Sequence, residues 1–510
     1  MNDLTKIDAA ASAAAGEEGL GGELGNVAQT CPAMTLEVGV FFDGTLNNRF
    51  NTRSRARNDD SYRNALSNPA LLFDRYKFRN GTRNGHDIPN ACGGVARRFR
   101  RIYAEGAGSV RGEEDDQTGY AFGMGRRSGV EARVLDTFRR LNAEILLQGG
   151  PPNLEKVILD VFGFSRGAAS ARYFVNAIRA RRIRYDPWGP GDWTETLPAG
   201  LDVEIRFLGI FDTVAAIGDA ADDDNDPINV HLKTEQATGR IYHLTAEDEY
   251  RRNFRLNHNL ERAKMRRTVG LISGTGGDSL GLPGAHSDIG GGYEVALRLP
   301  GDPPPGEGGS ARTGDTAPLG RMERRVFYSR EEALAAQART RAEDLRPGAN
   351  AEIEADFVRE GFLRPNETQG GVVRHMGEIQ VRTVRVSARG QTFVRTLYEY
   401  DEQLALHRPW VKLGLSRVAL NMMYEAAVEQ VDGAFLDLPN TEDYRIPSDM
   451  PHVAAMRAGT VTPAQRADIL RNFGHVSMKD GPITSSEWLG HRPDEDRERM
   501  IYPNLSNRAI

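Results

Sequence analysis

Cysteine is nearly missing from this chain: its 510 residues hold two, Cys31 and Cys92. Two cysteines cannot build a disulfide framework or a cysteine-based zinc site. Long hydrophobic runs are missing as well. No stretch reaches the ~18–20 apolar residues that a membrane-spanning helix needs, which excludes an integral helical membrane protein. A basic excess is also absent, since 65 Lys+Arg stand against 71 Asp+Glu for a net charge of −6. A dedicated nucleic-acid binder would normally carry one. Residues 1–33 are Ala/Gly-rich and acidic and lack the basic and apolar regions of a signal peptide, so they read as a flexible tail. Glycine, by contrast, is plentiful at 55 residues, more than the usual share and consistent with an enzyme rich in loops.

Order is expected from Leu36–Phe42, a short apolar run that reads as a buried strand. The segment from Arg49 to Arg101 changes character, with thirteen Arg/Lys and four Asp. It reads as a basic insertion with small helical pieces, either a solvated face or a face for anionic phosphate or lipid headgroups. Gly129–Leu147 has helical apolar spacing, Val157–Phe162 is a near-continuous apolar strand, Ala168–Arg179 is helical, and Val203–Phe211 is a further strand. Strands apolar throughout, alternating with helices, indicate a parallel sheet covered on both faces.

The fold expected is therefore α/β: a mostly parallel central sheet flanked by helices, with large insertions and a C-terminal extension. Its catalytic core would span residues 34–298, with the basic insertion at 49–101. Residues 299–400 would add a Pro/Gly loop (Leu299–Leu319), a charged helix (Arg330–Leu345) and a hairpin (Glu378–Tyr400) turning at Arg389-Gly390. Residues 401–510 would complete the domain with helices, among them an amphipathic one at Leu415–Val431.

The most informative segment is VILDVFGFSRGAA, Val157–Ala169. Gly163-Phe164-Ser165-Arg166-Gly167 fits G-x-S-x-G and lies between a strand and a helix, the context that makes the pattern a nucleophile elbow. A sharp strand-to-helix turn would lift Ser165 Oγ clear of the sheet, and Gly163 and Gly167 would give the turn room. The Arg166 amide, at a helix N-terminus, could then point at a developing oxyanion. A second oxyanion amide is expected from the loop after the first strand, at Asp43 or Gly44 of Asp43-Gly44-Thr45.

A serine needs a base held by a third group. Asp212 ends the strand Val203–Phe211, at the carboxyl edge where open α/β sheets place their sites. Among ten histidines, His286 stands out in Gly284-Ala285-His286-Ser287-Asp288-Ile289-Gly290-Gly291-Gly292-Tyr293, where small neighbours let an imidazole enter a crowded site. Asp288 would brace that loop through its backbone. His475 is the rival base, and His231, His243 and His258 read as surface residues. The run Asp222-Asp223-Asp224-Asn225-Asp226 fails as a calcium loop, because Pro227 and Lys233 occupy the positions that need Gly and Glu.

Four motifs in order, GVFFDGTLNN, FGFSRGAASAR, GIFDTV and GAHSDIGGGY, resemble the α/β-hydrolase domain of the type VI secretion lipase effectors, first class. The same domain occurs in uncharacterised bacterial and fungal hydrolases. The resemblance spans about Leu36–Tyr293, weakly includes the Leu415–Val431 helix, and leaves the tail and Leu299–Tyr400 unassigned. It implies a triad at Ser165, Asp212 and His286, with no metal and no organic cofactor. It further implies phospholipase A chemistry on membrane phospholipid. The chain would be made in the cytoplasm, delivered by a secretion spike protein, and would act at the target-cell membrane or periplasm, with a cognate immunity protein as a further partner. The alternatives are a small-ester hydrolase of the same mechanism and an inactive hydrolase-fold cargo or adaptor.

Overall fold

The computed structural model describes residues 33–78, 86–185, 193–217, 232–234, 239–249, 251, 254–260, 271–274, 277–293, 312–318, 323–344, 350–365, 371–388, 391–476 and 501–502. The N-terminal tail up to residue 32, His231, the acidic run at 222–226 and the Arg389-Gly390 turn lie outside them.

Eight strands form one sheet: β1 (Met34–Phe42), β2 (Ile88–Pro89), β3 (Val95–Ala104), β4 (Leu154–Phe164), β5 (Val203–Phe211), β6 (Arg240–Ala246), β7 (Leu271–Gly274) and β8 (Gly277–Leu282), in the order β7-β8-β6-β5-β4-β1-β3-β2. Every pairing from β8 through to β3 is parallel, and the two edge strands run antiparallel. Both faces are covered, which is why the central strands read as apolar runs without alternation. Along β1, Leu36, Val38, Val40 and Phe42 enter one core, while Phe41 enters the other and stacks on Phe162 at 5.0 Å.

Two acids interrupt this pattern in the sheet interior. Glu37 and Asp160 are fully buried, a placement that requires ionic partners. Arg206 supplies them, with Nε 2.9 Å from Asp160 Oδ1 and Nη2 2.7 Å from Glu37 Oε2. Tyr76 donates its hydroxyl to Asp160 at 2.7 Å.

The basic segment is only partly an insertion. It contains helices α1 (Arg49–Ser54), α2 (Asp60–Arg63) and α3 (Asn68–Arg75), the last buried along Asn68–Phe73. Its end, however, is β3, a strand of the sheet itself, paired with β1 from Thr35↔Arg97 to Phe42↔Ala104. The arginines hid this strand because carboxylates neutralise them within the fold. Arg97 pairs with Glu37, Arg98 with Asp87 at 3.0 Å, and Arg100 with Glu144 at 3.2 Å. Arg49 and Arg53 likewise share Asp74. The long stems pack as apolar surface while the heads meet acids.

Helices α4 (Val130–Leu147) and α5 (Arg166–Arg179) cover one face of the sheet. The short α6 (His286–Gly290) follows β8, and the charged α7 (Arg330–Asp344) lies farther along. Helix α8 (Leu415–Gln430) covers the other face through Val418, Met422 and Met423. Helix α9 (Pro463–Phe473) starts at a capping box between Thr462 and Gln465.

A second sheet is built on one long strand. Strands β9 (Arg312–Pro318), β10 (Glu323–Phe327), β11 (Gly371–Met376) and β12 (Gln380–Ala388) all pair antiparallel with β13 (Gln391–Lys412). The hairpin expected at Glu378–Tyr400 is the β12–β13 pair. The loop expected at Leu299–Leu319 is corrected in its described part, since Arg312–Pro318 is a strand. Pairing with β13 overrides the weak local preference of a Gly- and Pro-containing sequence.

Candidate active site

Strand β4 ends and α5 begins within one residue, Ser165, whose backbone is held at φ 60°, ψ −129°. For a residue with a side chain this is a strained conformation, of the kind that collects at functional sites. Both motif glycines are explained by space. A Cβ at Gly163 would meet Ala168 Cα at 2.7 Å, and one at Gly167 would meet the Phe42 carbonyl oxygen at 2.6 Å. The turn is tied to the next strand, because Ser165 N donates to Phe211 O at 3.1 Å.

That bond places the elbow beside Asp212, the residue after Phe211. Asp212 is fully buried and has φ 41°. Its Oδ1 accepts from Ala246 N at 2.9 Å, and its Oδ2 lies 2.5 Å from His286 Nδ1. A carboxylate on Nδ1 fixes the tautomer with its proton there, which leaves the Nε2 lone pair to act as a base. The His286 ring sits 4.6 Å from the ring of Phe164, the residue just before Ser165, and 5.0 Å from that of Phe254. The structure thus joins Asp212 to His286 directly and ties Ser165 by its backbone to the strand that leads into Asp212. Burial pushes the His286 imidazole below its ordinary pKa of 6.5, against the upward pull of Asp212.

The donors around the elbow are apportioned differently from the sequence expectation. Asp43 N donates to Ala104 O at 3.0 Å, and Gly44 N donates to the Asp43 carboxylate at 2.8 Å. Neither amide is therefore available to an oxyanion. On the same loop, Thr45 N has no acceptor among the described residues. Arg166 N, at the first position of α5, has none within its helix. The Arg166 side chain instead joins the two loops, with Nε donating to Thr45 Oγ1 at 2.7 Å and Nη2 to Tyr120 O at 2.5 Å. Asp43 accepts from the Ser67 and Tyr103 hydroxyls, and burial lifts its carboxyl to about 6.

Two histidines read as surface residues are in fact fully buried: His243 and His258. The groups that bond to His243 lie 30 and 16 residues away in the chain, so local sequence did not reveal its burial. Thr213 N donates to His243 Nε2 at 3.2 Å, one residue beyond Asp212, and His243 Nδ1 faces Asn259 Oδ1 at 3.1 Å. His258 Nδ1 accepts from Leu260 N at 3.0 Å. Asp288 accepts from Ala285 N at 2.9 Å and also meets His475 Nδ1 at 2.7 Å. Among the described residues, no three His, Cys, Asp or Glu side chains gather in a metal-binding group.

A strained serine at a strand-to-helix turn, next to a buried Asp–His pair on a mostly parallel sheet, defines an α/β-hydrolase-like protein. Comparison with known proteins sharpens this. The sequence model described as "T6SS, Phospholipase effector Tle1-like, catalytic domain" matches residues 194–300, the segment that carries Asp212 and His286 but not Ser165. The solved structure of the Tle1 effector bound to the VgrG spike from the type 6 secretion system is similar in fold. It has a TM-score of 0.50 and 23% identity over 88% of this chain and 85% of that one. An uncharacterized protein from Pseudomonas aeruginosa aligns at TM-score 0.37 and 19% identity, over 89% of this chain and 52% of that one. No curated protein matches the sequence. The chain resembles the type VI secretion phospholipase effectors of the Tle1-like family. Among the described residues, no helix is long and apolar enough to cross a membrane.

Proposed function

We propose that this protein is a serine esterase that cleaves acyl ester bonds of phospholipids, a phospholipase A-like effector delivered by type VI secretion. The observation that carries the chemistry is the 2.5 Å Asp212–His286 contact packed against the strained elbow. The lipid substrate and the delivery route are supported by the family match over residues 194–300.

Ser165 Oγ attacks the acyl carbonyl carbon, and His286 Nε2 takes its proton. Asp212 holds the imidazole in the required tautomer and balances the imidazolium that forms. The carbonyl oxygen becomes an oxyanion facing the Arg166 and Thr45 amides. Collapse expels the alcohol, which takes the proton from His286. Water then repeats both transfers on the acyl-enzyme and frees the fatty acid. A secretion spike protein and a cognate immunity protein are the partners this reading entails.

The test joins two measurements on the purified chain: labelling of Ser165 by a serine-directed phosphonate, and fatty-acid release from phospholipid vesicles. Labelling with release is expected. Labelling with turnover of short-chain esters alone would make it a small-ester hydrolase, and no labelling of Ser165 would overturn the elbow assignment.

A further inference from the structure

Helix α6 is five residues long and begins at His286, too short to hold its own geometry. Glycines stand on either side, at Gly284 and at Gly290–Gly292. Its entry is fixed by three carboxylates acting on consecutive amides, two from outside the helix (Asp248 and Glu249) and one, Asp288, from within it. Gly284 N donates to Asp248 Oδ2 at 2.9 Å, Ala285 N to Asp288 Oδ2 at 2.9 Å, and His286 N to Glu249 Oε2 at 3.2 Å. All three acids are buried and would repel one another without cationic or N–H partners.

Each acid has one. Glu249 is gripped through both oxygens by Arg251, at 2.9 Å each. The other two partners come from the C-terminal part of the chain: Arg466 of α9 bonds Asp248 Oδ1, and His475 bonds Asp288 through both its backbone N at 2.8 Å and its Nδ1 at 2.7 Å. The His475 ring also stacks on Tyr293, just past the glycine run, with centroids 4.1 Å apart. His475 is held in turn by the second sheet. Arg408 of β13 donates to the carbonyls of Gly474 at 2.6 Å, Leu470 at 2.9 Å and Arg471 at 3.0 Å.

We propose that Arg466 and His475 are positioning residues for His286, acting through Asp248 and Asp288, so that the C-terminal helix and the second sheet set the aim of the catalytic base. This rests on the reading of His286 as that base. A base displaced by about 1 Å can cost on the order of 10²-fold in rate.

The test compares the full-length wild type with His475→Ala, His475→Asn and Arg466→Ala on a soluble short-chain ester, at a temperature where circular dichroism shows each folded. His475→Ala and Arg466→Ala are expected to lower kcat by about 10- to 100-fold while leaving KM unchanged. His475→Asn, which places an amide donor where Nδ1 lies, is expected to recover most of the loss. The low-field proton signal of the His286–Asp212 hydrogen bond should broaden in His475→Ala and return in His475→Asn. Unchanged kcat and an unchanged proton signal in both alanine variants would overturn the proposal. If His475→Ala does not fold, unchanged kcat in Arg466→Ala does so alone. A wild type whose Ser165 resists phosphonate would overturn the active-site reading instead, which keeps the two failures distinct.

Discussion

Asp212 Oδ2 and His286 Nδ1 meet at 2.5 Å although 74 residues separate them in the chain. The contact exists because β5 and β8 end on the same edge of the sheet, with β6 between them. Substituting either residue, or Ser165, should therefore remove function and spare the fold. Ser165→Ala, Asp212→Asn and His286→Ala are each expected to lower ester turnover by about 10³- to 10⁴-fold or more. Combined variants should lose little beyond the worst single one, because the group acts as a unit. Steady-state kinetics with circular dichroism checks this. A chelator should leave turnover of a soluble ester unchanged, since a cation beside Asp212 would compete with the imidazolium for its charge.

A Cβ at position 167 has nowhere to go. It would press on the Phe42 carbonyl oxygen at 2.6 Å and the Asp43 carbonyl carbon at 2.7 Å, both backbone atoms that cannot turn aside. Gly167→Ala is expected to cost about 1–3 kcal/mol of stability and to slow phosphonate labelling of Ser165 more than it lowers the melting temperature. Denaturant titration and labelling rates give the two readings.

The pH dependence follows from burial. In the proposed mechanism the neutral imidazole of His286 is the working form, and burial favours it, so the acid limb of kcat/KM should fall below pH 6.5. Stability follows the same sign. As pH drops below 6.5, protons bind the unfolded His286 and His243 first, and stability is lost as pH falls further through their lowered folded values. Asp43 runs the other way. With its carboxyl lifted from 3.8 to about 6, its contribution is complete below 3.8 and fades as pH rises through 6. Asp43→Asn should remove this fall in stability between 3.8 and about 6, as thermal melts across pH compared with the wild type would show.

Arg206 stands between two buried acids, so removing it takes the guanidinium from Asp160 and one of two arginine partners from Glu37. Arg206→Met is expected to destabilise the protein by about 3–5 kcal/mol, measured by denaturant unfolding. Arg98 and Arg100 are bound to Asp87 and Glu144. Replacing them should lower the melting temperature while leaving binding to anionic vesicles unchanged. Salt-sensitive loss of vesicle binding would instead restore the headgroup role considered for the basic segment.

The strands β1, β4 and β5 were legible because a strand buried on both faces must be apolar, and Ser165 stood out because only glycines fit around its turn. Strand β3 was not legible. Its four arginines at 97, 98, 100 and 101 carry the local signal of a solvated run, and the acids that neutralise them, such as Glu37 and Glu144, lie far off in sequence. The spent amides of Asp43 and Gly44 could not be read for the same reason: which donors remain open depends on Ala104 and on a side-chain rotamer. His243 and His258 looked exposed because polar neighbours signal water as readily as they signal a buried hydrogen-bond network. His475 was read from the sequence as a rival base, but no local pattern announces its pairing or that of Arg466, whose partners lie 187 and 218 residues away.

Those separations also bear on the order of events during synthesis. Ser165, Asp212 and His286 all leave the ribosome well before Arg466 and His475, and a contact across 187 residues forms only after the intervening chain exists and its closure entropy has been met. Through most of translation the acids beside the histidine loop therefore lack Arg466 and His475. On the proposed reading, competence arrives as a late event, with the completed chain and not with the first folded core, and a truncated product would carry Ser165, Asp212 and His286 without their final alignment.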